Sequence, residues 1–172
     1  MKPYRAIFLG HQNDMLRQVI PEFEFNSPST DPVKLSHLLI NAMKDNNGIG
    51  LAANQLGINV RAFVMYSEPP IVAFNPKITY YNDEEVVMDE GCLSYPGVTI
   101  KVKRPRFIRV RFQDPYGNIV VKKFDGMASR VFQHELDHLD GVEYFKRANR
   151  IHKERFQKNW KKVIRTVKNR DK

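Results

Sequence analysis

Apolar and polar positions change their rhythm several times along this chain, and each change marks an element. Leu35, Leu38, Leu39, Ala42 and Met43 recur at helical spacing behind Asp31, a natural N-cap, and Pro32, suited to the first helical position. Asn46-Asn47-Gly48 stops that helix. Before it, Asp14 to Ile20 reads as a short helix ended by Pro21, followed by the loop Asn26-Ser27-Pro28-Ser29-Thr30. The middle of the chain switches to a period of two. Val60–Tyr66 and Ile71–Asn75 are strand candidates around Pro69-Pro70. Val98, Ile100 and Val102 alternate with Thr99, Lys101 and Lys103, and Ile108, Val110 and Phe112 alternate with Arg109 and Arg111. Asp114-Pro115-Tyr116-Gly117-Asn118 predicts a turn into a hairpin partner over Ile119–Phe124. Helical spacing returns from Met127 to Leu139. It returns again from about Arg150 to Lys168, where Phe156, Trp160, Val163, Ile164 and Val167 form an apolar stripe. The pattern predicts an α+β fold, mostly antiparallel sheet packed around a central helix, with a basic C-terminal helix.

Composition narrows the class. At 172 residues with 42% hydrophobic content, the chain suits one compact domain, and its longest apolar runs are too short to cross a bilayer. The stub Ile7-Phe8-Leu9 gives way to polar His11-Gln12-Asn13-Asp14, which reads as no secretory signal. A lone cysteine excludes an internal disulfide, so the expected setting is the cytoplasm. Net charge is +9, and it is segregated. Twelve Lys/Arg and two acids follow from Lys146 onward, whereas residues 1–145 are close to neutral. The expected organisation is a catalytic unit over 1–148 with a basic helix or tail over 149–172.

The chemistry lies in His134-Glu135-Leu136-Asp137-His138. Histidines four apart share one helix face and can hold one metal ion, with Glu135 placed to activate water beside it. Several third ligands are open. His at position 144 would complete a long metzincin pattern, but Tyr144 stands there. Glu154 is a downstream carboxylate within the basic helix. Cys92, in Asp89-Glu90-Gly91-Cys92-Leu93-Ser94, is the alternative, and a buried structural cysteine is the plainer reading of it. A closed zinc site would need a fourth ligand from His11, His37 or His152, none at a short ligand spacing. The stretch Gly48-Ile49-Gly50-Leu51-Ala52-Ala53-Asn54-Gln55 follows a helix, the wrong context for a dinucleotide loop. It reads either as a helix stop and turn or as a backbone edge that approaches an extended ligand, with Gln55 as a polar donor.

Three segments together resemble peptide deformylase: Gly48–Gln55 its GxGLAAxQ motif, Glu90–Ser94 its EGCLS motif, and Gln133–Gly141 its QHExDHLxG motif. Their order and spacing agree from about Asp14 to Phe145. The resemblance implies that Cys92, His134 and His138 hold one divalent metal, typically Fe²⁺, with Zn²⁺, Ni²⁺ or Co²⁺ as substitutes. It implies N-formyl-methionyl nascent peptides as substrate, Glu135 as the proton shuttle, and the Gln55 amide with the Leu93 backbone N–H as oxyanion donors. Backbone around Ile49, Gly50 and Gly91 would receive the substrate as an added strand. Ile49, Met88, Met127 and Val131 would line the methionine pocket, with the direction of Arg130 left open.

The likeness has gaps at both ends. Gly10-His11-Gln12-Asn13-Asp14 lacks the family's usual proline–aspartate pair, and Glu143-Tyr144-Phe145-Lys146 replaces a more apolar stretch. The basic helix reads either as a solvated face or, as in similar deformylases, as a ribosomal RNA contact. A zincin-type peptidase and an RNA-binding module with structural zinc are the competing functions.

Overall fold

A computed structural model describes residue 10 and residues 14–170, with side chains described through residue 166. Asp31 caps α1 (Pro32–Asp45), its carboxylate accepting from the Val33 and Lys34 N–H groups at 2.9 and 3.1 Å. The remaining elements are β1 (Gly50–Ala52), β2 (Ala62–Met65), β3 (Ile71–Tyr81), β4 (Glu85–Cys92), β5 (Tyr95–Pro105), β6 (Phe107–Gln113), β7 (Ile119–Asp125), α2 (Gly126–Leu139) and α3 (Arg150–Arg170). Five strands form an antiparallel sheet in the order β1-β2-β3-β6-β7, and β4-β5 form a separate hairpin sheet.

Alternation builds the layers. Leu51, Val64 and Phe74 face α1, where they meet Leu35, Leu39 and Met43. The intervening Ala52, Phe63 and Ala73 face α2, where Phe63 packs edge-on against Phe132 at 5.0 Å. Hence β1 and β2 are buried on both faces and show no polar alternation to betray them. A third core lies beyond the hairpin: Val98, Ile100 and Val102 of β5 receive Phe156 and Trp160 of α3. The C-terminal helix therefore shares a core with the hairpin, and its basic side faces outward.

Several boundaries differ from expectation. Asp14–Ile20 forms a single 3-10 turn over Asp14–Arg17, after which Val19 makes a lone bridge to Asp140. The strand expected to end at Asn75 continues to Tyr81, because a register shift between Phe74 and Lys77 absorbs Pro76. The stretch Gly48–Gln55 is a short strand followed by a 3-10 turn over Ala53–Leu56, not a simple helix stop. His11 and the side chain of Val167 lie outside the described residues.

Candidate metal centre

α2 supplies the centre because its sequence places functional groups in two parallel rows. Arg130, His134 and His138 recur every four residues and face the β4–β5 hairpin; Met127, Val131 and Glu135 form the adjacent row. The histidine rings lie 5.0 Å apart. The helix ends at Asp140, and Gly141 then takes a left-handed φ of +68° where a Cβ would strike the Arg17 backbone. Terminal carbonyls are met from outside: Asn54 Nδ2 donates to His138 at 2.6 Å, and Arg61 to Leu139 at 3.2 Å.

Cys92 arrives from the end of β4. Glu90 pairs with Ile100, but Cys92 pairs with Tyr95, so a register shift around Gly91 redirects the cysteine. Its Sγ lies 3.2 Å from His138 Nε2. One ligand atom from each of Cys92, His134 and His138 falls within 4.8 Å of the others. Among the described residues no further Cys, His, Asp or Glu joins this group. Tyr144 is buried, donates to the Val98 carbonyl at 2.7 Å and packs its ring 5.6 Å from His134. Glu154 is exposed and paired with Arg150 at 2.9 Å.

Behind the ligands stands a buried charge network. His134 Nδ1 faces Glu90 Oε2 at 3.1 Å, which leaves Nε2 for the cluster. Arg104 grips Glu90 through Nε at 2.7 Å and a second nitrogen at 3.0 Å, and donates to Asp137 at 2.7 Å. Arg147 adds two bonds to Asp137, at 2.6 and 3.2 Å. Burial alone would raise Glu90, but hydrogen bonds from His134 and Arg104 overcome it and hold the carboxyl well below the usual range. A carboxylate behind a histidine fixes ring orientation and tautomer in metal sites. Burial, helped by the neighbouring His134 and Arg104, keeps His138 well below its ordinary value and therefore neutral. The sequence reading overlooked Arg104. Extending the Val98–Ile100–Val102 alternation by two places a cation on a buried face, and a buried cation demands carboxylates.

In front of the ligands a cavity of about 450 Å³ opens to solvent. Gln55, Cys92, Leu93, His134 and Glu135 line it near the cluster; Ile49, Gly50, Gly91, Met127 and Val131 form its walls and rim. Ala52 N–H donates to Gln55 Oε1 at 2.9 Å, so the amide turns Nε2 toward Ser94 Oγ (3.1 Å) and Cys92 Sγ (3.6 Å). A Cβ on Gly50 would collide with the Glu135 carboxylate, which explains glycine there. Glu135 Oε2 is buried without a hydrogen-bond partner, and burial pushes the carboxyl up to about 7. Met88, the remaining predicted pocket residue, is not among the residues that line this cavity. Arg130, which also lines the cavity, reaches across to the Val86 carbonyl (2.5 Å), the Val102 carbonyl (2.9 Å) and Glu90 (2.7 Å).

Comparison with known proteins bears on the family and the fold. Residues 6–154 match the family model described as polypeptide deformylase. The peptide deformylase of Thermotoga petrophila is 40% identical over 131 residues, covering 76% of this chain and 80% of that protein. That of Desulforudis audaxviator is 35% identical over 152 residues, covering 86% and 97%. Among solved structures, the Thermus thermophilus peptide deformylase superposes with a TM-score of 0.85 at 35% identity, covering 96% of this chain and 98% of that one. A Plasmodium falciparum peptide deformylase solved with an inhibitor gives 0.83 at 28% identity, covering 92% and 99%. With a family match across most of its length and the same architecture in solved members, this chain belongs to the polypeptide deformylase family of enzymes.

Proposed function

We propose that this chain hydrolyses the N-formyl group from the formyl-methionyl end of nascent polypeptides, releasing formate. The observation that carries the reading is Glu135. Its carboxylate oxygen is buried and unpartnered beside a Cys–His–His set, on the wall of an open cavity. Buried polar atoms are nearly always satisfied, so an exception of this kind marks chemistry.

The donor set fits one divalent cation. One sulfur and two imidazole nitrogens are gathered, and one imidazole is braced by a carboxylate. Three protein ligands suit a catalytic rather than a closed site. Fe²⁺ is the proposed ion, and the same ligands accept Zn²⁺, Ni²⁺ or Co²⁺. When bound, the cation supplies a Lewis acid that polarises a carbonyl and makes water acidic near neutral pH. Glu135 takes the proton of the attacking water as oxygen adds to the formyl carbon. The carboxyl then passes that proton to the amine nitrogen as the C–N bond breaks, leaving formate and a free N-terminus. The Gln55 Nε2, held by the Ala52 N–H, donates to the developing oxyanion, and the Leu93 backbone N–H is the second donor. The Ile49–Gly50 and Gly91 backbones flank the peptide as strand partners.

A zincin-type peptidase would need a downstream third ligand, and neither buried Tyr144 nor ion-paired Glu154 is free for that role. Formate release from formyl-Met-Ala-Ser by anaerobically prepared protein tests the proposal. No formate from metal-loaded protein would contradict it, and cleavage of an internal peptide bond would favour the peptidase.

The outward face of α3 is the proposed contact to ribosomal RNA. Its apolar side is consumed by β5, while Lys158, Lys161, Lys162 and Arg165 are exposed. Deleting residues 149–172 would strip Phe156 and Trp160 from the core, so replacing these four cations by alanine is the cleaner test. Salt-sensitive co-sedimentation with ribosomes should fall; unchanged binding would contradict the proposal. Among the described residues no helix is long and apolar enough to cross a membrane.

A further inference from the structure

We propose that the outward face of β3, β6 and β7 binds single-stranded RNA, at a surface separate from α3. On the inward face of β6, Ile108, Val110 and Phe112 are buried in the core that contains Phe132 of α2. Alternation therefore sends Arg109 and Arg111 outward. Register places Tyr80 and Lys123 on either side of Arg109, and Lys77 and Val121 on either side of Arg111. All six of these side chains are exposed. The acids bordering the face are already taken, Glu22 by Lys77 at 2.6 Å and Asp125 by Arg106 at 3.0 Å. Among the described residues no carboxylate forms an ion pair with Arg109, Arg111 or Lys123.

Solvation accounts for exposed cations, but not for the rings set among them. The Arg109 guanidinium lies over the Tyr80 ring, 5.1 Å from its centroid, and Phe107 meets that ring edge-on at 6.3 Å. Tyr80 is still 46% exposed. Cations that pair with phosphates and an aromatic face that stacks a base are the two parts of a single-strand platform. Arg109 and Arg111, two residues apart on one strand, are separated by about 7 Å, close to one phosphate step of an extended strand. An acidic peptide would answer the cations and leave the rings unused, and a duplex keeps its bases stacked inside. RNA rather than DNA follows from the proposed function, which puts the chain beside ribosomes; that choice rests on the deformylase reading.

The test is fluorescence anisotropy with a labelled single-stranded RNA of about twelve nucleotides. The full chain is used with Lys158, Lys161, Lys162 and Arg165 replaced by alanine, so that α3 does not contribute. Adding Arg109→Ala, Arg111→Ala and Lys123→Ala together should lower affinity at least about tenfold. The slope of log affinity against log salt should flatten by about 2, as three phosphate contacts are lost. Tyr80→Ala should weaken binding about fivefold or more at an unchanged slope, and Tyr80→Phe, which keeps the ring, should preserve it. Binding that survives the triple replacement, or that ignores Tyr80→Ala, would overturn the proposal. So would equal competition by a polyglutamate peptide or an RNA duplex. Formate release should be unchanged in every variant, since none of these residues lines the cavity. Absence of formate from the unsubstituted protein would remove the deformylase reading, whereas anisotropy decides the sheet face by itself.

Discussion

α2 and α3 both carry charge on an amphipathic frame, yet their polar residues live in opposite environments. Every residue of α2 from Ser129 to Leu139 is buried, whereas in α3 Phe156 and Trp160 alone are buried among the described residues. In α3 the charges are solvated, and water satisfies them. In α2 each charge must be satisfied by protein. Arg130 has three acceptors and Asp137 two arginines, but Glu135 retains an oxygen with none. On this helix the buried polar atoms left without a partner are Glu135 Oε2 and His138 Nδ1, both on residues of the proposed site.

The comparison can be broken at either helix. Arg104→Leu should have the largest effect, because it leaves Glu90 and Asp137 short of a buried partner; a loss of about 3–5 kcal/mol is expected. Urea unfolding should move to a lower midpoint at an unchanged slope. Trp160→Ala should cost about 3 kcal/mol through the cavity it opens beneath Tyr95, and the same titration reads it. A negligible loss would mean that α3 is not a working part of the core. Glu90→Gln sharpens the comparison at the ligands: metal affinity should fall about 10- to 100-fold as His134 loses its brace, measured by chelator competition. At the small end, Lys158→Ala or Lys162→Ala should leave the unfolding midpoint unchanged within error, since nothing on that face depends on burial.

How much could be read beforehand follows the same division. Asp31 with Pro32, the alternation through Val98–Val102 and Ile108–Phe112, and the spacing of Met127–Leu139 each announce themselves locally, and their elements form as expected. β1 did not, because three residues buried on both faces leave no periodic signature. The extension of β3 was hidden by Pro76, which a register shift accommodates. At the candidate site, His134, Glu135 and His138 were legible as residue types at telling intervals, and Cys92 only through the family resemblance. Arg104 and Arg130 were not, because their roles depend on which strands and helix meet.

The most direct test of the account is Glu135→Gln, a substitution that keeps the side chain's size but removes its capacity to carry the proton. With formyl-Met-Ala-Ser as substrate and metal content measured on the same sample, the variant should keep its ion while kcat/KM falls by at least about 100-fold, the scale of a lost general acid–base. Formate release near the unsubstituted rate from a metal-loaded Glu135→Gln protein would contradict the assignment of Glu135 as the proton shuttle.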